Sequence, residues 1–329
     1  MKTAFTRDAA VAVPLICGAM YPCSNPELVG AASAAGAIGI LQPISLTYVH
    51  GHDFREGLRL TQRIAEGKPI GFNALIEESS KYYRERMHQW IEIALEEGIR
   101  FFITSLGNPR WVVERVGQVG GVVYHDVTER KWAQKGLDAG VKGLIAVNNR
   151  AGGHAGPESA ETLVEELAPL GLPLVCAGGI GTPEQFRDVL RMGYAGAQLG
   201  TRFIATTECN AHPDYKQAIV DATSSNIVLT ERLTGVPVAV IENDYIRHLG
   251  TRAGPIARWM LRGRKTKHWM RTIYALKSLY RLKKDLYKGR GAEEYWQAGK
   301  SVDGIHGIEP AGDIVRKFAE ALERKGVSA

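Results

Sequence analysis

The stretch Gly143-Leu-Ile-Ala-Val-Asn-Asn-Arg-Ala-Gly-Gly-His-Ala-Gly-Pro157 decides how the chain is read. It begins as a short apolar run, the pattern of a buried strand, and passes directly into a loop where His154 follows Gly152 and Gly153 and precedes Gly156. Glycines let a backbone approach a flat ligand closely, which makes Gly153 a candidate contact and leaves the His154 ring standing at a strand end. The next unit of the chain carries a second glycine cluster, Ala177-Gly-Gly-Ile-Gly181. Both clusters follow a buried run, so the two loops are expected to be neighbours.

The same alternation extends outward in both directions. Upstream, Pro14–Met20 precedes a helix opened by Asn25-Pro26 and running to Gly36, Ile38–Leu41 precedes Phe54–Glu66, and Ile70–Leu75 precedes Lys81–Glu97. Arg100–Leu106 then pairs with Pro109–Gly117, and Val122–Val127 with Thr128–Ala139. Gly143–Val147 leads to Ser159–Leu167, Leu172–Ala177 to Pro183–Met192, and Gly196–Leu199 to Pro213–Ala222. Asn108-Pro109 and Thr182-Pro183 place a capping residue before a first-turn proline. Eight apolar strands, each followed by a helix, predict a closed parallel (β/α)8 TIM barrel over residues 1–223, in preference to an open doubly wound sheet.

Beyond residue 223 the rhythm breaks. Residues 224–303 are expected to form an additional, basic and mainly helical subdomain over the barrel mouth, with Asn226–Glu242 β-branched enough for strand or irregular structure. Within its helical part Trp269, Ile273, Leu276, Tyr280 and Tyr287 share one face at helical spacing, the pattern of a stripe packed on the barrel. Residues 304–329 read as a closing loop and a terminal helix that returns to the barrel.

Composition narrows the class. With 329 residues, 45% hydrophobic and 23% charged, the chain can bury one large α/β core. No apolar stretch is long enough to cross a bilayer and the start lacks a secretory core, so a cytoplasmic protein with no membrane role is expected. Cys17, Cys23, Cys176 and Cys209 are too few and too irregular for a disulfide framework or structural zinc, and His50 and His52 lack a second ligand pair, so no metal is expected. The net charge is +6, yet thirteen Lys and Arg against the single acid Asp285 lie between Arg252 and Arg290, leaving the remainder acidic. Such a segment suits an acidic carrier protein or a dinucleotide phosphate. A nucleic-acid partner is not expected, because the aromatics read as core-facing and no RNA or DNA motif accompanies them.

The candidate chemistry gathers at strand ends. Ala177-Gly-Gly-Ile-Gly-Thr-Pro183 and Gly200-Thr-Arg-Phe203 follow the seventh and eighth strands, where barrels of this type commonly hold a phosphate on backbone N–H groups. Tight turn geometry is the competing reading; two clusters at adjacent strand ends favour phosphate. His154 reads either as a loop histidine bonded to backbone or as a general base, and its glycine loop favours the second. His125, ending the fifth strand, is either a contact on the same face or a satisfied polar residue. Asn73 can read a ring or sugar edge, and Met20 and Gln42 can pack on or bond to an isoalloxazine.

On Gly152-Gly-His-Ala-Gly156, Ala177-Gly-Gly-Ile-Gly181 and Gly196-Ala-Gln-Leu-Gly-Thr-Arg-Phe203, with Trp296-Gln-Ala-Gly299 and Asp303-Gly304 at the close, the sequence resembles the nitronate monooxygenases. These are FMN-dependent barrel enzymes related to the flavin-containing enoyl-acyl carrier protein reductases. The resemblance covers most of the chain. It implies FMN phosphate on the amides of Gly178, Gly179, Gly200 and Thr201, the flavin ring near Met20, Asn73 and Gln198, and His154 as the catalytic residue beside the flavin. It also implies oxidation of a nitronate or nitroalkane with O2 to a carbonyl compound and nitrite. The alternative is an FMN-dependent NAD(P)H reductase acting on a quinone or an enoyl-acyl carrier protein; a homo-oligomer is compatible with either. The chain departs from the family at Cys17-Gly-Ala-Met20, which lacks the usual glutamine and proline, at Asp126, where a basic residue is common, and at Asn148-Asn-Arg-Ala151.

Overall fold

Each of the apolar runs is too short to cover its own faces, and the chain solves this by closing them on one another. The computed structural model describes residues 1–77, 80–233, 235–252 and 295–323. In it β1 (Leu15–Cys17), β2 (Ile38–Leu41), β3 (Ile70–Leu75), β4 (Phe101–Ser105), β5 (Val122–Val127), β6 (Gly143–Val147), β7 (Leu174–Ala177) and β8 (Gly196–Leu199) form a closed parallel barrel in sequence order.

The helices are α1 (Ala4–Asp8), α2 (Pro26–Ala34), α3 (Phe54–Ile64), α4 (Lys81–Glu96), α5 (Arg110–Gly117), α6 (Arg130–Asp138), α7 (Ala160–Leu167), α8 (Pro183–Arg191), α9 (Thr201–Ile204) and α10 (Pro213–Asp221). Their starts follow capping chemistry: Asp53, Ser80 and Ser159 accept first-turn N–H groups, and Thr182 and Gln185 form a reciprocal capping box ahead of α8. After the barrel, β9 (Ile227–Thr230) and β10 (Val238–Ile241) pair antiparallel, and the short α11 (Asp244–Leu249) follows. The stretch Asn226–Glu242, expected to form strand or irregular structure, holds a β-hairpin, because Ile227, Val228, Val238, Val240 and Ile241 are β-branched and three of them, Val228, Val238 and Val240, face a small apolar cluster. The helical stripe expected from Trp269 to Tyr287 lies outside the described residues. A last helix, α12 (Ala311–Glu323), packs on α2 and α8, with Phe318 5.4 Å from Phe186. No helix among the described residues is long and apolar enough to cross a membrane.

Register and alternation sort the strand residues into an inner and an outer set, which is what positions the site. Gly143 pairs with Tyr124, and a Cβ on that glycine would stand 2.3 Å from the tyrosine ring, so the glycine makes room for a large side chain inside the barrel. Ile16, Ile38, Ile40, Phe101, Ile103, Ile145 and Val175 pack with that ring as one cluster. Phe5 of α1 plugs the lower end, edge-on to Phe101 and Tyr124. A larger apolar cluster fills the space between strands and helices. Following the registers upward, the inner positions just below the C-terminal rim are Gly18, Asn73, Asp126, Ala177 and Gln198. Apolar packing ends there and polar groups begin.

Candidate active site at the barrel mouth

The floor of the mouth holds polar groups that the protein leaves incompletely paired. Gln198 faces inward beneath Gly18, where an added Cβ would come within 2.9 Å of its side chain. Its Oε1 is buried without a hydrogen-bond partner, as is Oδ1 of Asp126. Burial alone raises the Asp126 carboxyl from the usual carboxylate range to about 7. Asn73 stands on the inner face of β3 beside them, half-buried. Buried polar atoms without partners are uncommon in folded proteins, and these two lie on one floor.

His125 is not part of this floor. Tyr124 points inward, so its neighbour points outward: the His125 ring lies under α6, where a Cβ on Gly136 would be 3.4 Å from it, and its Nδ1 is 2.8 Å from Thr104 Oγ1. Burial lowers its pKa to about 4, which leaves it a neutral structural histidine. Of the two sequence readings of His125, the structure takes the second, a satisfied polar residue, two residues short of the end of β5 and on its outer face. Asp126 takes the inner position, two residues on from Tyr124.

The rim is built from three loops and the C-terminal segment. In the loop after β6, Asn148 is buried, accepts from Arg150 N–H at 2.8 Å in an Asx turn, and donates 3.0 Å to the carbonyl of Gly178. This ties the β6 loop to the β7 loop, a role the sequence did not reveal. Gly178 and Gly179 have φ of +116° and +78°, and a Cβ on Gly179 would stand 2.6 Å from Arg150 Nε. Their glycine identity is thus explained by backbone conformation and by the guanidinium packed over them. Arg150 also reaches the Lys300 carbonyl at 3.3 Å and Asp303 at 3.9 Å. Met20 covers Gly200, its Sδ 3.6 Å from where a Cβ would lie, while Thr201 Oγ1 accepts the Gly299 N–H at 3.0 Å. Gln42 is spent elsewhere, its Oε1 accepting the Ser45 N–H at 2.5 Å.

His154 is exposed on the same rim. Gly153, at φ +69°, turns the chain before it, and the Gly153 carbonyl accepts both Ala155 N–H at 3.0 Å and Ala239 N–H of β10 at 2.8 Å. β10 in turn bonds to Trp296 through Ile241 N–H at 2.8 Å, and Trp296 stacks on Tyr215. The hairpin is therefore a brace for the histidine loop. A cavity of 340 Å³ lies between them, lined by Asn149, Ala151, Ala239, Thr251, Lys300 and residues 227–229 of β9. The described cysteines are buried free thiols, with Cys176 pushed up to about 12 by burial, and no group of three or more His, Cys, Asp or Glu among the described residues could hold a metal ion.

A closed parallel barrel with glycine loops and unpartnered polar groups at its C-terminal mouth defines a barrel enzyme whose ligand sits on the strand ends. The chain belongs to the nitronate monooxygenase family, whose description matches residues 2–320, and it is an oxidoreductase. It is 26% identical over 278 residues to a nitronate monooxygenase of Pseudomonas aeruginosa, covering 71% of this chain and 78% of that protein. It is 25% identical over 261 residues to the (3aS,4S,5R,7aS)-5-hydroxy-7a-methyl-1-oxo-octahydro-1H-indene-4-carboxyl-CoA dehydrogenase of Rhodococcus jostii, covering 78% of this chain and 71% of that one. Among solved structures, FabK from Thermotoga maritima shares the fold with a TM-score of 0.77 at 23% identity over 98% of both chains. A nitroalkane oxidase from Streptomyces ansochromogenes does so with a TM-score of 0.75 at 22% identity, over 98% of this chain and 99% of that one.

Proposed function

We propose that the protein binds FMN at the barrel mouth and oxidises alkyl nitronates or nitroalkanes with O2, giving a carbonyl compound and nitrite. The observation that carries the reading is the buried, unpartnered Oε1 of Gln198 on the inner floor, an acceptor aimed where a flat heterocycle with ring N–H groups would lie. The residues present fit the cofactor. Asn73, Gln198 and Met20 would hold the ring, and the Gly178–Gly179 and Gly200–Thr201 loops, with the Arg150 guanidinium beside them, would hold the phosphate. The flavin, when bound, supplies the electron relay between nitronate and dioxygen.

The chain's own residues do the rest. The glycine turn and its tie to β10 hold His154 at the rim, within reach of solvent, where an imidazole can take the α-proton of a neutral nitroalkane and pass it to water. The apolar layers beneath Asn73 and Gln198 exclude water from the underside of the site. A second reading, an NAD(P)H-dependent reductase of quinones or of an enoyl thioester on a carrier protein, is favoured by the cavity under the hairpin, whose apolar wall and Lys300 suit a longer anionic substrate. The purified protein is expected to carry FMN. Anaerobic bleaching tried separately with an alkyl nitronate, NADH and NADPH then separates the readings: bleaching by nitronate alone supports the first, bleaching by a nicotinamide alone replaces it with the second, and colourless protein that ignores added FMN removes both.

A further inference from the structure

We propose that Asp126 is a flavin-facing acid of this site: a carboxyl that donates a hydrogen bond from its protonated form to the ring bound over the floor, and weakens cofactor binding when it ionises. The inference rests on the FMN reading above. It goes beyond that reading in giving the floor a titratable group where the ring contacts named so far are neutral amides and a thioether.

The geometry comes first. Asp126 sits on the inner face of β5 two positions above Tyr124, in the last layer before the rim. The side chain is half-buried, with Oδ1 fully enclosed and without a partner. Around it on the inner face stand Asn73, Leu75, Ser105, Val147 and Gln198, none of them titratable. Of its neighbours on β5, the Tyr124 hydroxyl donates downward to Asp8 and His125 lies under α6. Burial raises the carboxyl to about 7, so below that pH it is mostly in the acid form. A neutral carboxyl in an apolar site is a hydrogen-bond donor, whereas a carboxylate there presents only acceptors to a ring edge that is itself rich in carbonyl oxygens.

The sign of the linkage follows from the raised pKa. Between the usual carboxylate range and about pH 7 the folded apoprotein holds a proton that the unfolded chain has released, so this group makes stability fall as pH rises through that window. Asp126→Asn, close in shape and unable to ionise, removes that term. Its melting temperature should therefore exceed that of wild type by more at pH 8 than at pH 5, measured on both apoproteins.

The deciding experiment is FMN binding to the apoprotein, followed by flavin fluorescence from pH 6 to pH 9. In wild type the dissociation constant should rise about tenfold or more across pH 7, the loss expected for one hydrogen bond replaced by a charged mismatch. Asp126→Asn should bind as tightly as wild type at pH 6 and keep that affinity at pH 9. His154→Asn should retain the wild-type profile, which separates the floor from the rim. Parallel profiles in wild type and Asp126→Asn would overturn the proposal, as would a wild-type profile flat through pH 7, which needs no variant to read. Failure of every variant, wild type included, to bind FMN would instead overturn the FMN reading on which the proposal rests, while the melting comparison would still report whether Asp126 is held protonated.

Discussion

His154→Asn keeps a polar side chain of similar reach and removes titration near neutral pH. FMN content should persist, and turnover of a neutral nitroalkane should fall about 10²–10⁴-fold, the usual worth of general acid–base help. A preformed nitronate has already lost its proton, so its oxidation should fall much less. Steady-state rates on the two substrates check this, and equal losses on both would leave His154 a positioning residue. At the residue scale, Asn73 stood out in the sequence as an amide within an apolar strand, whereas Gln198 was singled out only by the family resemblance. His125 stayed open between two roles, since a place along a strand tells where a residue lies along the axis but not which face it takes. Only the close fit of Gly143 around Tyr124 sets the phase, and that requires two strands in register.

The elements around the histidine loop act as a brace, and this is testable at Ala239. Its N–H is given to Gly153 O at 2.8 Å, on the edge of β10 turned away from β9, so Ala239→Pro deletes that tie while the hairpin pairing keeps its other bonds. FMN content should be unchanged, nitronate turnover should drop, and limited proteolysis should open new cuts between residues 149 and 157. An unaltered digestion pattern would show that the hairpin does not hold the loop. At the facing loop, Gly179→Val forces a β-branched residue to φ +78° and drives it into Arg150. Strain of about 1–3 kcal/mol and a displaced guanidinium should release flavin while the barrel still folds, measured as flavin absorbance per protein. The barrel units were legible because each apolar run is bounded by caps and glycines. The brace was not, because its bonds join residues far apart in sequence, Gly153 to Ala239 and Ile241 to Trp296, and backbone pairing of that kind leaves no local pattern.

At the scale of the whole molecule the decisive feature is charge separation. The segment 252–290 carries a charge balance of +12, more than the whole net charge of +6, and the remainder of the chain is acidic. The described structure reaches this segment at Arg252, next to Thr251, which lines the cavity beside the histidine loop. Concentrated positive charge raises the encounter rate of polyanions far more than that of a singly charged nitronate. The screening length shrinks from about 30 Å at 0.01 M salt to about 8 Å at 0.15 M, so the advantage is lost as salt rises. If a dinucleotide phosphate or an acyl thioester is the working substrate, its kcat/KM should fall steeply over that range while nitronate kcat/KM changes little. The comparison is made on one preparation with both substrates, because a general salt effect on stability would depress the two together. A steep fall for the polyanion alone would assign the basic segment to substrate capture and favour the reductase reading. Flat profiles for both would leave its charge without a role in access, and nitronate oxidation as the reading that the geometry of the mouth supports.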